Sequence, residues 1–354
     1  MRFEELKHRE WMKLYIPEAS CAFGGDYCIH IRKGDPKRLI VYLDGGGVSW
    51  DRESAKWPST PETIDKYHHV GLFRVCADTS PDVFSIRTDA GNGFHSTTDE
   101  NPLRDWSEVM IPYATADFHT GTADLIFTAP DGSERVLHHH GYLNLMKILR
   151  IIRQYFPAVD RLLICGESAG AFGTAAVAGD IMDAFPECDD VTLLVDSALM
   201  SSDWSPSARD IWQSPPHIAD AIKTENMVTD WFRALYEKYG NKPRYLFSCG
   251  CRDQTLVMFR VYAETGCFTI DREHAEMFCR NLRRMCMDLR AMTPNFSFYI
   301  HDFMAETLSP GVQHCIFGNA TYTKGRMDGV SPMEWLRDAM AGKTYDVGMK
   351  LVDM

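Results

Sequence analysis

A chain of 354 residues, 45% hydrophobic and 24% charged, has the size and make-up of one globular α/β domain carrying insertions. Its formal net charge of -12, without any long basic run, excludes a nucleic-acid backbone as partner. The opening residues mix charges of both signs and no stretch approaches membrane-spanning length, so a cytoplasmic location with no membrane partner is expected. The 11 cysteines are odd in number and lack metal-ligand spacing, so reduced, mostly buried thiols are expected, the lone Cys249-Gly250-Cys251 pair included.

In chain order, residues 14–17 and 27–32 alternate like strands about a Gly24-Gly25-Asp26 turn, which suits the antiparallel edge of a larger sheet. Residues 38–43, RLIVYL, form a strongly β-prone run that enters Asp44-Gly45-Gly46-Gly47-Val48. Three successive glycines make either a flexible loop or a backbone bent close to substrate, its amide N–H groups aimed at a developing oxyanion. Residues 49–101 are polar, carry Trp50, Trp57, Phe84 and Phe94, and read as an insertion over the site. A strand at 109–111 leads into a polar loop over 113–124 that is expected to border the pocket. Residues 126–128 and 135–137 flank Pro130-Asp131-Gly132-Ser133, a hairpin signal. His138-His139-His140 then precedes a helix over 142–155. Because successive residues on a strand or helix point different ways, the triplet is read as structural or rim residues, and no metal is expected.

Residues 161–180, RLLICGESAGAFGTAAVAGD, read as a buried strand, a sharp turn and a helix rich in small residues. The pentad Gly166-Glu167-Ser168-Ala169-Gly170 fits G-x-S-x-G, in which glycines let the backbone pass a strained bend that lifts a serine hydroxyl clear of the sheet. A strand at 191–195 ends at Asp196-Ser197, and residues 203–240, with Trp204, Trp212, Trp231 and Phe232, suit a cap. Next come a strand at 244–248 leading to Asp253, a helix through Met277 to Leu289, a strand at 296–300, and a loop holding His314 and Cys315. Ser331, Pro332 and Glu334 mark the start of a capped helix over 331–340.

Strands alternating with helices argue for a mostly parallel sheet with helices on both faces, its ligands beyond the carboxyl ends of the strands. Ser168, Asp253 and His314 each follow a predicted strand, in the order nucleophile, acid, base that belongs to α/β hydrolases. A serine hydroxyl needs an imidazole to take its proton, and the imidazole needs a carboxylate to fix its tautomer. Such a set calls for no cofactor. His301 and His274 compete for the base, and Asp196 and Asp302 for the acid.

Several separated pieces agree with this reading. Leu43-Asp44-Gly45-Gly46-Gly47, Asn101-Pro102 with Trp106, Phe118-His119-Thr120-Gly121, the GESAG pentad, Leu194 to Ser197, Arg252-Asp253 and His314-Cys315 together resemble the pectin acetylesterases and the related Notum-type carboxylesterases. The resemblance implies an α/β-hydrolase fold with inserted cap segments at about 49–101 and 203–240. It also implies a Ser168-His314-Asp253 triad, with Gly47, Val48 and Ala169 giving oxyanion N–H groups and Gly45, Gly46, Gly166 and Gly170 in support. The expected activity is release of a short acyl group, such as acetyl, from a small-molecule or saccharide ester. The pentad is also that of general carboxylesterases, so a general esterase, a lipid deacylase and a silent ligand-binding protein are the other readings.

Overall fold

The computed structural model describes residues 3–75 and 93–354. Among them the apolar runs become strands β1 (Trp11–Ser20), β2 (Asp26–Arg32), β3 (Asp35–Leu43), β4 (Trp106–Ile111), β5 (Ala123–Thr128), β6 (Glu134–His139), β7 (Arg161–Glu167), β8 (Asp190–Asp196), β9 (Pro243–Gly250) and β10 (Phe296–His301). Eight of these form one sheet in the order β1-β2-β4-β3-β7-β8-β9-β10, and β5 and β6 pair with each other as a hairpin. Strand β2 runs antiparallel to both its neighbours, whereas every pair from β4 to β10 across that sheet is parallel. The chain is therefore mixed α/β, built on a large and mostly parallel sheet.

The longer helices are α1 (Gly141–Tyr155), α2 (Ala169–Ala184), α3 (Met227–Tyr239), α4 (Gln254–Thr265), α5 (Arg272–Met292) and α6 (Pro332–Met340). The side-chain period of two sorts each strand between the two faces. Leu39, Val41 and Leu43 pack with α1 to α5, while Ile40 and Tyr42 pack with α6 and with Phe94, Leu103, Phe317 and Tyr322 from loops and a short turn. Helices do lie on both faces, as expected, but unequally. Helix α6 starts with the foreseen capping box: Glu334 N–H donates to Ser331 Oγ at 3.1 Å, and Ser331 N–H to Glu334 Oε2 at 2.8 Å.

The expected cap over 203–240 is only partly one. Its last third is α3, whose Trp231 and Phe232 are buried in the main core beside α2. That helix is an ordinary cover of the sheet. The preceding residues do lie across the segment that follows the glycines: the Trp212 indole donates to Ser49 O at 2.7 Å, and Ser207 Oγ to Trp50 O at 3.0 Å. In the earlier insertion, Trp57 stacks on His69 with ring centroids 3.8 Å apart, and Phe94 is buried in the second core; Phe84 lies outside the described residues. No helix among the described residues is long and apolar enough to cross a membrane.

A buried ionic cluster pins the loop ahead of β4. Arg32 on β2 pairs with Glu108 on β4 at 3.0 Å, both side chains fully buried. Glu108 also meets His95 Nδ1 at 2.5 Å, and Arg32 Nη1 donates to the His95 carbonyl at 2.7 Å. Removing one member strands the others without compensation. Glu108→Ala is expected to lower the unfolding free energy by about 3–5 kcal/mol, measured by urea denaturation.

Candidate active site

The strand order reverses between β3 and β7: from β3 the chain goes to β4 on one side, then to β7 on the other. Such a reversal opens a crevice at the carboxyl ends of the two strands, because their following loops part in opposite directions. The glycine loop follows β3 and Ser168 follows β7, so the crevice lies between them.

Ser168 has φ 54° and ψ -126°, a backbone state that costs a side-chain-bearing residue about 1–3 kcal/mol. Close approaches on every side hold it there. A Cβ on Gly166 would sit 2.3 Å from the Gly170 carbonyl oxygen, and one on Gly170 would sit 1.9 Å from that of Leu43. A Cβ on Gly45 would lie 2.8 Å from the Ser168 Cβ, so the glycine loop rests directly against the serine. Ser168 N–H donates to the Asp196 carbonyl at 2.9 Å, tying the elbow to the neighbouring strand.

The sequence left the acid open between Asp253, Asp196 and Asp302, and the structure brings Asp253 to the histidine. The Asp253 carboxylate lies 2.8 and 2.9 Å from His314 Nδ1. It is fully buried and also caps α4, accepting from Leu256 N–H at 3.0 Å. Backbone hydrogen bonds of 3.0 Å (Gln254 N–H to Val312 O) and 2.9 Å (Val312 N–H to Arg252 O) join the two loops. Burial pulls the partly buried His314 imidazole down, but the adjacent Asp253 carboxylate outweighs it and the pKa is raised above 6.5. The other histidines differ. His301 is fully buried, stacks on Phe303 at 4.9 Å, and is driven by burial down to about 3; His274, on α5, is bound to Asp271 at the start of that helix and to Glu264 on α4.

Asp196 has another task. Its Oδ2 accepts from Ile316 N–H at 2.8 Å and Phe317 N–H at 3.2 Å, while Ser197 Oγ accepts from Cys315 N–H at 3.2 Å. It therefore anchors the backbone that follows His314. Burial, with the neighbouring Glu167 adding, pushes its carboxyl up to about 7 despite those bonds. Glu167, Asp196 and Cys315 offer ligand atoms within 4.8 Å of one another. They do not fit a metal well: Asp196 is committed to two amides, and burial and the two carboxylates hold the Cys315 thiol well above its ordinary pKa, hence protonated. Cys249 and Cys251 are likewise buried free thiols whose pKa values burial raises.

One expected oxyanion donor is displaced. Val48 N–H donates to the Leu72 carbonyl at 3.0 Å, so it is not free to face a substrate. Gly47, at φ 83°, turns the chain toward Leu72, where a Cβ would sit 1.9 Å from the carbonyl oxygen. The N–H groups of Gly46 and Gly47 meet no acceptor among the described residues, and Ala169 opens α2, where helical N–H groups have no intrahelical partner. Gly46, Gly47 and Ala169 thus form the available donor set. Ser168 is partly exposed, and no hydrogen bond joins its Oγ to His314 among the described residues. That contact is commonly long before substrate arrives.

The loop over 113–121 is wholly buried rather than bordering a pocket. Asp117 accepts from Thr115 Oγ1 and from the N–H groups of His119, Gly121 and Gly141, at 2.7 to 3.2 Å. His119 Nε2 donates to the Asp44 carbonyl at 3.0 Å, and burial lowers its pKa to about 4, keeping the ring neutral. This loop is the support under the glycines. Tyr113, Ala114 and Phe118 are buried with it.

No protein-family model matches this chain, and no curated protein matches it either.

The raised His314 pKa links its pairing with Asp253 to stability. The pair adds stability that is fully present below the unfolded value near 6.5 and is lost as pH rises through the folded value. In an NMR titration His314 is expected to change charge above pH 6.5 in the native chain and at lower pH in Asp253→Asn. An unchanged titration in that variant would remove the pairing.

Proposed function

We propose that the chain is a serine carboxylic-ester hydrolase of the α/β-hydrolase fold, acting through Ser168, His314 and Asp253. The observation that carries this reading is the Asp253-held His314 at the sheet edge where Ser168 sits in its strained turn. The strand order supports the fold: with the β5–β6 hairpin set aside, it is eight strands with the second reversed and the third and fourth exchanged. In the proposed cycle Ser168 Oγ attacks the ester carbonyl as His314 Nε2 takes its proton. Gly46, Gly47 and Ala169 N–H groups stabilise the oxyanion, and the alcohol leaves with the histidine proton. Water, deprotonated by the same imidazole, then releases the acid. The chemistry requires no metal or organic cofactor, since base, nucleophile and charge stabilisation come from the chain.

For the substrate, a short acyl ester of a saccharide or another polar alcohol is favoured over a lipid. A cleft of 210 Å³ beginning at Trp50, close after the glycines, is lined by Asp203, Ser207, Arg260 and Glu264 besides Trp204. One partly exposed indole among charged and hydroxyl groups suits a sugar better than an alkyl chain. The cleft includes neither Ser168 nor His314. Trp204, Trp212, Trp231 and Phe232 are buried, so those aromatic faces give no support to sugar stacking. General esterase and lipid deacylase are the competing substrate classes, and a silent binding protein the competing function.

Ser168→Ala is expected to lower kcat/KM on p-nitrophenyl acetate by about 10⁴-fold or more. A fluorophosphonate probe should label the native chain and not the variant; an unlabelled but folded native chain would favour the silent binding protein. Across acetyl to palmitoyl esters, activity is expected to fall with chain length, and acetylated saccharides to release acetate. A steady rise toward palmitoyl would transfer the assignment to lipid esters.

A further inference from the structure

The hairpin between β4 and α1 carries a second constellation that the proposed ester chemistry does not use. Asp124 on β5 stands directly opposite His138 on β6 in the antiparallel register, so the two side chains share a face. His140 lies two residues beyond His138 and returns to that same face. Only His139 points away, fully buried, with Nδ1 on the Thr115 carbonyl at 3.0 Å. The alternation that argued against the triplet as a site therefore removes one histidine and unites the other two.

These three side chains converge closely. His138 Nδ1 and His140 Nε2 lie 2.6 and 2.9 Å from the same oxygen of Asp124, and the two rings are 5.1 Å apart between centroids. The three ligand atoms all fall within 4.8 Å of one another. In a tetrahedral zinc site with bonds of about 2.0–2.1 Å, ligand atoms are separated by roughly 3.3 Å, so the carboxylate oxygen need withdraw by roughly 0.4 to 0.7 Å from the two nitrogens. Asp124 is more than half exposed and free to make that movement. An outer partner is already present: Ser20 Oγ at the end of β1 meets His140 Nδ1 at 3.2 Å, which turns Nε2 toward the group.

We propose that Asp124, His138 and His140 form a binding site for a divalent d-block cation of the zinc class, with solvent in the remaining position. Two imidazoles and one carboxylate are the donor set that such ions prefer over calcium or magnesium, which favour all-oxygen shells. The bound ion would clamp the hairpin to the start of α1 and, through Ser20, to the end of β1. Its role is structural and independent of the esterase reading.

Chelator-stripped full-length protein titrated calorimetrically with Zn²⁺ is the test, with Cys267→Ser as the background because Cys267 is an exposed thiol. One equivalent is expected to bind, with a rise in melting temperature. His138→Gln/His140→Gln is expected to abolish both effects, and Ser20→Ala to weaken binding by about 10-fold or more while the fold persists. Circular dichroism verifies folding of each variant. The proposal is overturned if the Cys267→Ser protein binds no zinc, or if the double histidine variant binds it with unchanged affinity. Should the double variant not fold, Ser20→Ala decides: undiminished affinity there overturns the assignment, and weakened affinity upholds it.

Discussion

The turn at Ser168 is the constraint on which the architecture of the edge depends. A side chain held at φ 54° is stable only where its surroundings leave no alternative, and here α2 is pressed so closely onto β3 and β7 that only hydrogen atoms fit at Gly166 and Gly170. The same contact brings the glycine loop down onto the serine. Small residues along the start of α2 are thus not a packing convenience; they allow a helix N-terminus, a strained serine and a bent loop to occupy one crevice.

Around that turn, strain and carboxylates gather at the ends of the parallel strands. Ser197 and Cys315 have positive φ, as do Ala116, Phe118 and His119 in the buried loop beneath the glycines. Each follows a strand or supports a loop that does, so the strain lies where ligands of parallel sheets bind. Asp196 and Asp117 act there as acceptors for backbone amides, a use of carboxylates that fixes loop shape without sheet hydrogen bonds. Away from that edge, the apolar strands alternate between two cores.

Periodicity and turn chemistry made most of the framework legible. The hairpin at Pro130 to Ser133, the apolar strands at 38–43, 162–165 and 191–195, and the Ser331 capping box are local, and the structure has all of them. What escaped was non-local. The partner of Val48 N–H is a carbonyl 24 residues away in an insertion with no periodic pattern, and the hydrogen bonds of Asp196 run to residues 120 and 121 positions on. The loop at 113–121 was misread for a related reason: polar side chains suggested a surface, yet each is satisfied internally, which composition cannot reveal.

Asp253 does two things at once, capping α4 and holding His314, and the two make unequal demands on its chemistry. A helix N-terminus accepts asparagine about as well as aspartate, because either side chain supplies the required oxygen. The imidazole does not, since an amide offers no charge to steady an imidazolium and can present its N–H₂ to the wrong ring nitrogen. Exchange of the acid for the amide at this position would therefore leave the helix cap in place and remove only the stability that the charged pair with His314 adds below its folded pKa. The helix alone would be served by either side chain; the negative charge is what His314 uses, and the amide could not supply it.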